Sequence, residues 1–180
     1  MSNKKTKRPS PAKTIALVGI MAATLECGKL ALSFVPNVEV VTVLLALYGY
    51  VFGLYGVLSA VVFVSIEPLI YGFGTWVISY YIHWPIVALV FMLLSKLKIS
   101  NRWVITAVGV ILTAWFGVLT SLVDVGLFSG AFDNFWYRFG VYYVRGITFY
   151  AIQIICNAVL FPLLFSYLAK KLKKIKLQLL

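Results

Sequence analysis

The sequence predicts an all-α integral membrane protein, a six-transmembrane-helix bundle with both termini cytoplasmic. Three observations carry that expectation. Of the 180 residues, 62% are hydrophobic and 16% aromatic, and the mean hydropathy is +0.98, so there are too few charges to cover a water-soluble globule. The basic residues behind the net charge of +11 fall into three clusters: Lys4, Lys5, Lys7, Arg8 and Lys13; Lys96, Lys98 and Arg102; and Lys170, Lys171, Lys173, Lys174 and Lys176. The apolar runs between these clusters are cut by Pro, Asn and Gly into pieces of helical length.

Clustered cations are the positive-inside signature of a helical membrane protein, and the same lysines suit an anionic lipid surface. They are not spread over one face and interleaved with aromatics, so nucleic acid is not an expected partner. If all three clusters are cytoplasmic, an even number of crossings separates each from the next. Four spans then fill residues 14–95 and two fill 103–169. The chain divides into a basic cytoplasmic segment at 1–13, a membrane domain at 14–169 and a basic cytoplasmic tail at 170–180.

The basic head followed by residues 14–25 has the outline of a signal peptide, but Glu26 and Lys29 interrupt the run and no small-residue cleavage site follows. The segment is therefore expected to be a mature first helix. At membrane depth an ionised side chain costs about 2.5–3.5 kcal/mol or more. Glu26 and Lys29, three apart, either pair with each other or serve a ligand. Ala12, Ala16, Gly19 and Ala23 recur at spacings of four, three and four, which makes a smooth strip that another helix can approach closely. Turned inward, the strip packs the bundle; turned outward, it is a docking surface for another membrane subunit.

The first helix breaks at Val35-Pro36-Asn37. The second and third spans, 40–52 and 54–70, fall below the roughly 20 residues that a straight crossing needs, so they are expected to be tilted, partly unwound or shielded by neighbours. Glu67-Pro68 marks a helix end or kink in the third. The fourth span follows a loop at 71–77 and carries His83 ahead of Trp84-Pro85. The fifth (103–127) and sixth (140–169) are joined by the polar-aromatic loop SGAFDNFWYRFG, and a salt bridge between Asp124 and Arg145 is expected across them.

The outer connections are thus 34–39, 71–77 and 128–140. All five acidic residues, Glu26, Glu39, Glu67, Asp124 and Asp133, lie in or beside the outer half, together with His83, Arg138, Arg145 and many aromatics. Apolar walls with a few convergent polar groups make a small-molecule pocket. The alternative, an interfacial aromatic belt, explains any single Trp or Tyr but not the acids and arginines. The candidate ligand residues are Asn37, Glu39, Trp76, Tyr80, His83, Trp84, Asp124, Trp136, Arg138, Tyr142 and Arg145. A lone histidine such as His83 either contacts a ligand or metal or is a hydrogen-bonded structural residue.

Cys27 and Cys156, far apart in apolar segments, form neither a disulfide framework nor a zinc-ligand spacing and are expected to be buried, inert thiols. No phosphate-binding loop, H-E-x-x-H or G-x-S-x-G motif is present. No metal and no permanently bound cofactor is expected. Any ATP-driven activity needs an ATPase on another chain.

The opening helix IALVGIMAATL, the Pro-Asn-Val-Glu loop, the LYGYVFGLYGVLSA turn and the basic amino terminus occur in an order that resembles the substrate-binding S components of energy-coupling factor (ECF) vitamin transporters. The resemblance covers nearly the whole chain. It implies a multi-pass protein of a bacterial cytoplasmic membrane that captures a vitamin from outside. It also implies docking through the first helix onto a transmembrane coupling subunit (the T component) shared with two ATPase subunits, followed by toppling in the membrane to release the ligand inside. The family's docking motif is Ala-x-x-x-Ala; here Ala16 is followed by Ile20, and Gly19 with Ala23 supplies the small pair one step on. The Phe-Val-Pro-Asn-Val-Glu opening is most similar to cobalamin-type components, with pantothenate, riboflavin or folate as alternatives. An anionic vitamin would favour Arg138, Arg145 or Lys29 as its anchor, and a corrinoid would lean on Asn, Tyr and carboxylate acceptors. The competing readings are a small membrane enzyme acting on lipid through Glu67, Asp124 and His83, and a noncatalytic assembly subunit.

Overall fold

A computed structural model describes residues 10–128 and 133–179, and every regular element among them is helical. The elements are α1 (Pro11–Ala31), α2 (Val41–Phe52), α3 (Leu54–Tyr71), α4 (Trp76–Lys96), α5 (Arg102–Val123), α6 (Phe135–Arg145), α7 (Ile147–Leu160) and α8 (Ser166–Leu179). A π-helical turn, Asp124–Phe128, extends α5, and a second, Phe161–Phe165, joins α7 to α8 at Pro162. Such a turn relieves the clash that proline would make with a regular α-helix. Most of the first basic cluster and residues 129–132, in the loop expected on the outer side, lie outside the described residues.

Five stretches are long and apolar enough to cross a membrane: Pro11–Ala31, Leu54–Tyr71, Trp76–Lys96, Arg102–Phe128 and Ile147–Gln178. Their outward surfaces carry Ile15, Leu58, Leu93, Ile111, Ile155 and Val159, all exposed, an apolar coat suited to lipid rather than water. Helix α2 differs in kind. Its 12 residues rise only about 18 Å, and all but Leu44 are buried. It therefore does not cross unaided; α1, α3, α4, α5, α7 and α8 enclose it, which is the shielding expected for a short span.

Close approach of α2 to its neighbours depends on glycine. A Cβ on Gly49 would land on the backbone of Ala88 in α4, and one on Gly56 of α3 would land on the backbone of Tyr48. Gly53 turns α2 into α3 at a φ of 64°, a left-handed conformation that side chains resist. The basic residues gather at this same end. Tyr50 donates to the carbonyl of Ile99 at 2.9 Å, Lys176 donates to the carbonyl of Val51 at 2.7 Å, and the Lys173 ammonium lies 5.0 Å over the Tyr50 ring.

Two expectations are revised. Residues 135–139, expected in the loop, begin a separate helix that runs to Arg145, because aromatics and arginines alternate there with helical amphipathicity, and none of its residues is buried. The last membrane stretch accordingly begins at Ile147, after the break at Gly146, instead of at residue 140. Residues 170–179 continue that helix without interruption, anchored by Lys176.

Gly49→Val should lower stability in detergent by about 1–3 kcal/mol through overpacking against α4. Gly19→Ala, at a site where an added Cβ meets nothing, should raise it by about 0.5–1 kcal/mol through helix propensity. Thermal unfolding of the two purified variants beside the parent checks both signs.

Candidate functional site

Helix α3 follows α2 after one residue and rises about 27 Å against about 18 Å for α2. The shortfall of about 9 Å lies entirely at the end remote from the basic clusters. A cavity of about 510 Å³ occupies that end. Residues of the α1–α2 loop roof it, among them Pro36, Asn37 and Glu39, while Phe63, Tyr80, Trp84, Phe116 and Phe149 supply the aromatic wall and Val41 the floor. Asn37 turns the roof at a φ of 67°, which asparagine tolerates better than most residues.

The wall is a continuous aromatic array. Trp76 meets Tyr80 edge-on at 4.9 Å, Tyr80 meets Trp84 at 5.5 Å, and Trp84 stacks on Phe116 at 5.7 Å. Behind it His83 is only 1% exposed and packs against Trp84 at 4.7 Å and Phe116 at 4.9 Å. Neither ring nitrogen has a hydrogen-bond partner among the described residues. Trp84 Nε1 and Gln153 Oε1, both on residues that line the cavity, are likewise buried and unpartnered.

Two polar assemblies flank the aromatics. In the first, Lys29 pairs with the wholly buried Glu67 across α1 and α3, and its ammonium lies 4.1 Å over the Tyr71 ring. Tyr71 in turn donates to Glu26 at 2.9 Å. Glu26 and Lys29 thus find separate partners on α3, because that helix brings Glu67 and Tyr71 to their level, and the local pair, one of the two alternatives, does not form among the described residues. In the second, the Glu39 carboxylate accepts from the Thr42 amide at 2.9 Å, the Thr42 hydroxyl at 2.6 Å and Asn157 Nδ2 at 2.6 Å. Asn157 also donates to Thr113 at 3.0 Å, and the Cys156 thiol to the Glu39 carbonyl at 3.4 Å. This network caps the start of α2 and fastens the roof to α5 and α7.

Of the residues expected at a pocket, Asn37, Glu39, Tyr80 and Trp84 line the cavity, Trp76 buttresses Tyr80, and His83 lies behind the wall. Asp124, Trp136, Arg138, Tyr142 and Arg145 do not line it. Trp136, Tyr142 and Arg145 are exposed on α6, and no ion pair joins Asp124 to Arg145. Sequence reasoning left Glu67 out of the ligand set, reading Glu67-Pro68 as a helix end or kink and giving Glu67 a role only in the competing enzyme reading, and it passed over Gln153 and Asn157 altogether. The one available signal was that each is a polar side chain inside an otherwise apolar run.

On α1, Ala12, Ala16, Gly19, Ile20 and Ala23 are all exposed, whereas Leu17, Val18, Met21, Ala22 and Leu25 face the bundle. The small-residue strip therefore points outward. Cys27, expected to be buried, is exposed on the same strip, one helical step beyond Ala23, and Cys156 is half-buried.

Lys29→Met, which strands the Glu67 carboxylate in an apolar bundle, should destabilise the protein by about 3–5 kcal/mol, and the double variant Lys29→Met/Glu67→Leu should recover most of that loss. Chemical unfolding of parent, single and double variants in detergent tests this; equal losses in single and double would contradict it. No family model matches this chain, and neither do the curated proteins or solved structures with which it was compared.

Proposed function

We propose that this chain captures a water-soluble vitamin and carries it across the cytoplasmic membrane of a bacterium as the S component of an ECF importer. The observation that carries the reading is the aromatic-walled cavity at the end of the bundle opposite the basic clusters. With the cations inside, as the positive-inside bias places them, the cavity opens outward. Both termini are then cytoplasmic, with α2 counted as the short member of six passages.

The outward strip of Ala16, Gly19, Ile20 and Ala23 is the docking face for a transmembrane coupling subunit, whose two ATPase partners supply the energy. Small side chains let helices approach to backbone distance, where packing holds them together in lipid. Ile20 stands among them, 64% exposed, as a projecting knob.

The sequence resemblance favours a corrinoid as cargo. A volume of about 510 Å³ lies within the usual range for small-molecule sites, about 300–1,000 Å³. It suits a ligand the size of riboflavin with the loop 32–40 in place, and a corrinoid requires that loop to open.

Coupling and ATPase subunits should copurify with the chain, and ATP hydrolysis by the assembly should rise when the correct vitamin is added. Purification of the chain alone, with turnover of lipid, would sink the proposal. Gly19→Trp or Ala16→Trp should abolish uptake into cells while leaving vitamin binding by the isolated chain within about twofold, since neither residue touches the cavity. Tyr80→Ala should do the reverse, weakening binding by about tenfold through lost aromatic contact. Uptake assays beside equilibrium binding separate the two effects.

A further inference from the structure

A second concavity, of about 380 Å³, lies at the basic end of the bundle between α1 and α8, with α2 beneath it. Leu17 and Met21 line it from α1, Tyr48 and Phe52 from α2, and Leu172 and Ile175 from α8. Ile20, 64% exposed, stands at its edge, so the groove opens on the apolar outer coat rather than into the bundle. Its two hydroxyl groups, on Thr24 and Tyr48, pair with each other at 2.6 Å. Among the described residues, no buried polar atom left without a partner belongs to its lining. Unlike the aromatic-walled cavity, it offers an occupant no hydrogen bonds along its length, and hydrocarbon is what fills such a space without loss.

Its dimensions narrow the choice further. From Lys13 to Thr24, both in the lining, α1 rises about 17 Å, close to the roughly 15 Å of one leaflet of the hydrocarbon layer. Spread over that length, the volume is a slot roughly 5 Å across, the width of one hydrocarbon chain and half that of a helix, about 10 Å.

One end of the slot is charged. Lys13 lines it, and α8 adds Lys171 one turn before Ile175 and Lys174 one turn before Gln178, on the same side of that helix. The Lys171 ammonium rests over the Tyr167 ring at 4.4 Å, which leaves its charge in place. No acidic side chain lines the groove, and α8 has none; the first on α1 is Glu26, about 20 Å along the helix from Lys13. Residues 1–9 bring four more cations but only Met1 and Pro9 as apolar side chains, so this part of the chain is itself no candidate to fill a hydrocarbon slot.

A leaflet-long apolar slot bordered by cations at one end matches a molecule with a long apolar chain and an anionic head. We infer that the groove binds an anionic phospholipid, with one acyl chain between α1 and α8 and the phosphate against Lys13, Lys171 and Lys174. The site is separate from the aromatic-walled cavity and does not depend on what that cavity holds. Ala16 and Ile20 belong both to its lining and to the outward strip of α1, so the lipid flanks the face proposed to dock a coupling subunit.

Native mass spectrometry of the purified full chain in detergent, with dioleoylphosphatidylglycerol as the anionic probe and dioleoylphosphatidylcholine as the zwitterionic one, tests this. Phosphatidylglycerol should bind at least about tenfold more tightly, since each lysine near an anionic lipid is worth about fivefold. Lys171→Gln and Lys174→Gln should each weaken it by about fivefold and leave phosphatidylcholine unchanged. Ala16→Trp, which plugs the groove, should weaken it by about tenfold or more, the worth of about two displaced methylene groups. Ile111→Trp, at an exposed site on α5 outside the lining, should not. Thermal unfolding shows whether each variant is folded. Equal binding of the two lipids, or phosphatidylglycerol binding indifferent to Ala16→Trp, overturns the inference. So does a dimer that Ala16→Trp dissociates, which would assign the groove to a second copy of the chain.

Discussion

A helix too short to cross the hydrocarbon layer has to be wrapped by protein, because lipid offers no partners to the exposed ends of its backbone. Helix α2 imposes that constraint on everything else. Its 12 residues are enclosed by six other helices, Gly49 and Gly56 set how closely α4 and α3 approach it, and Gly53 aligns its lower end with that of α3. All of the missing length consequently appears at the other end. The cavity is the space that a full-length α2 would have filled, and the loop 32–40 closes it because that loop has to descend from the end of α1 to a helix that begins late.

The same geometry explains why charge is tolerated here. Glu67 would be prohibitive on a lipid-facing surface, but α3 turns it inward to meet Lys29 beneath Tyr71. The pairing crosses between helices, so Lys29 reports on the docking of α1 to α3 as much as on the cavity. Glu39 plays the equivalent part between α2 and α7. Each carboxylate thereby joins two elements.

Much of the architecture was legible in composition and punctuation. The Gly53 break separates α2 from α3 to the residue, Pro36-Asn37 falls within the loop between α1 and α2, and the small-residue spacing on α1 does mark a face that the bundle leaves uncovered. What could not be read was which polar residues meet. Lys29 is three residues from Glu26 and thirty-eight from Glu67, yet the distant partner wins because helix packing rather than sequence distance sets the neighbours. Helix α6 was hidden for a different reason. Its aromatic and charged residues resemble an interfacial loop in composition, and only their helical periodicity, spread over 11 residues, distinguishes them. Asp124, Trp136 and Arg145 were grouped with the cavity by depth alone, and depth does not specify direction around a bundle.

The stitching of the roof by Glu39 has a kinetic consequence. One carboxylate holds the start of α2, the Thr42 hydroxyl and the Asn157 amide at once. Under the proposed capture role, parting of these contacts would loosen the roof, so exchange of a bound molecule would depend on a local opening reaction as well as on its grip on the wall. On that proposal affinity and exchange rate would be separately adjustable, the aromatic residues setting one and the hydrogen-bonded roof the other.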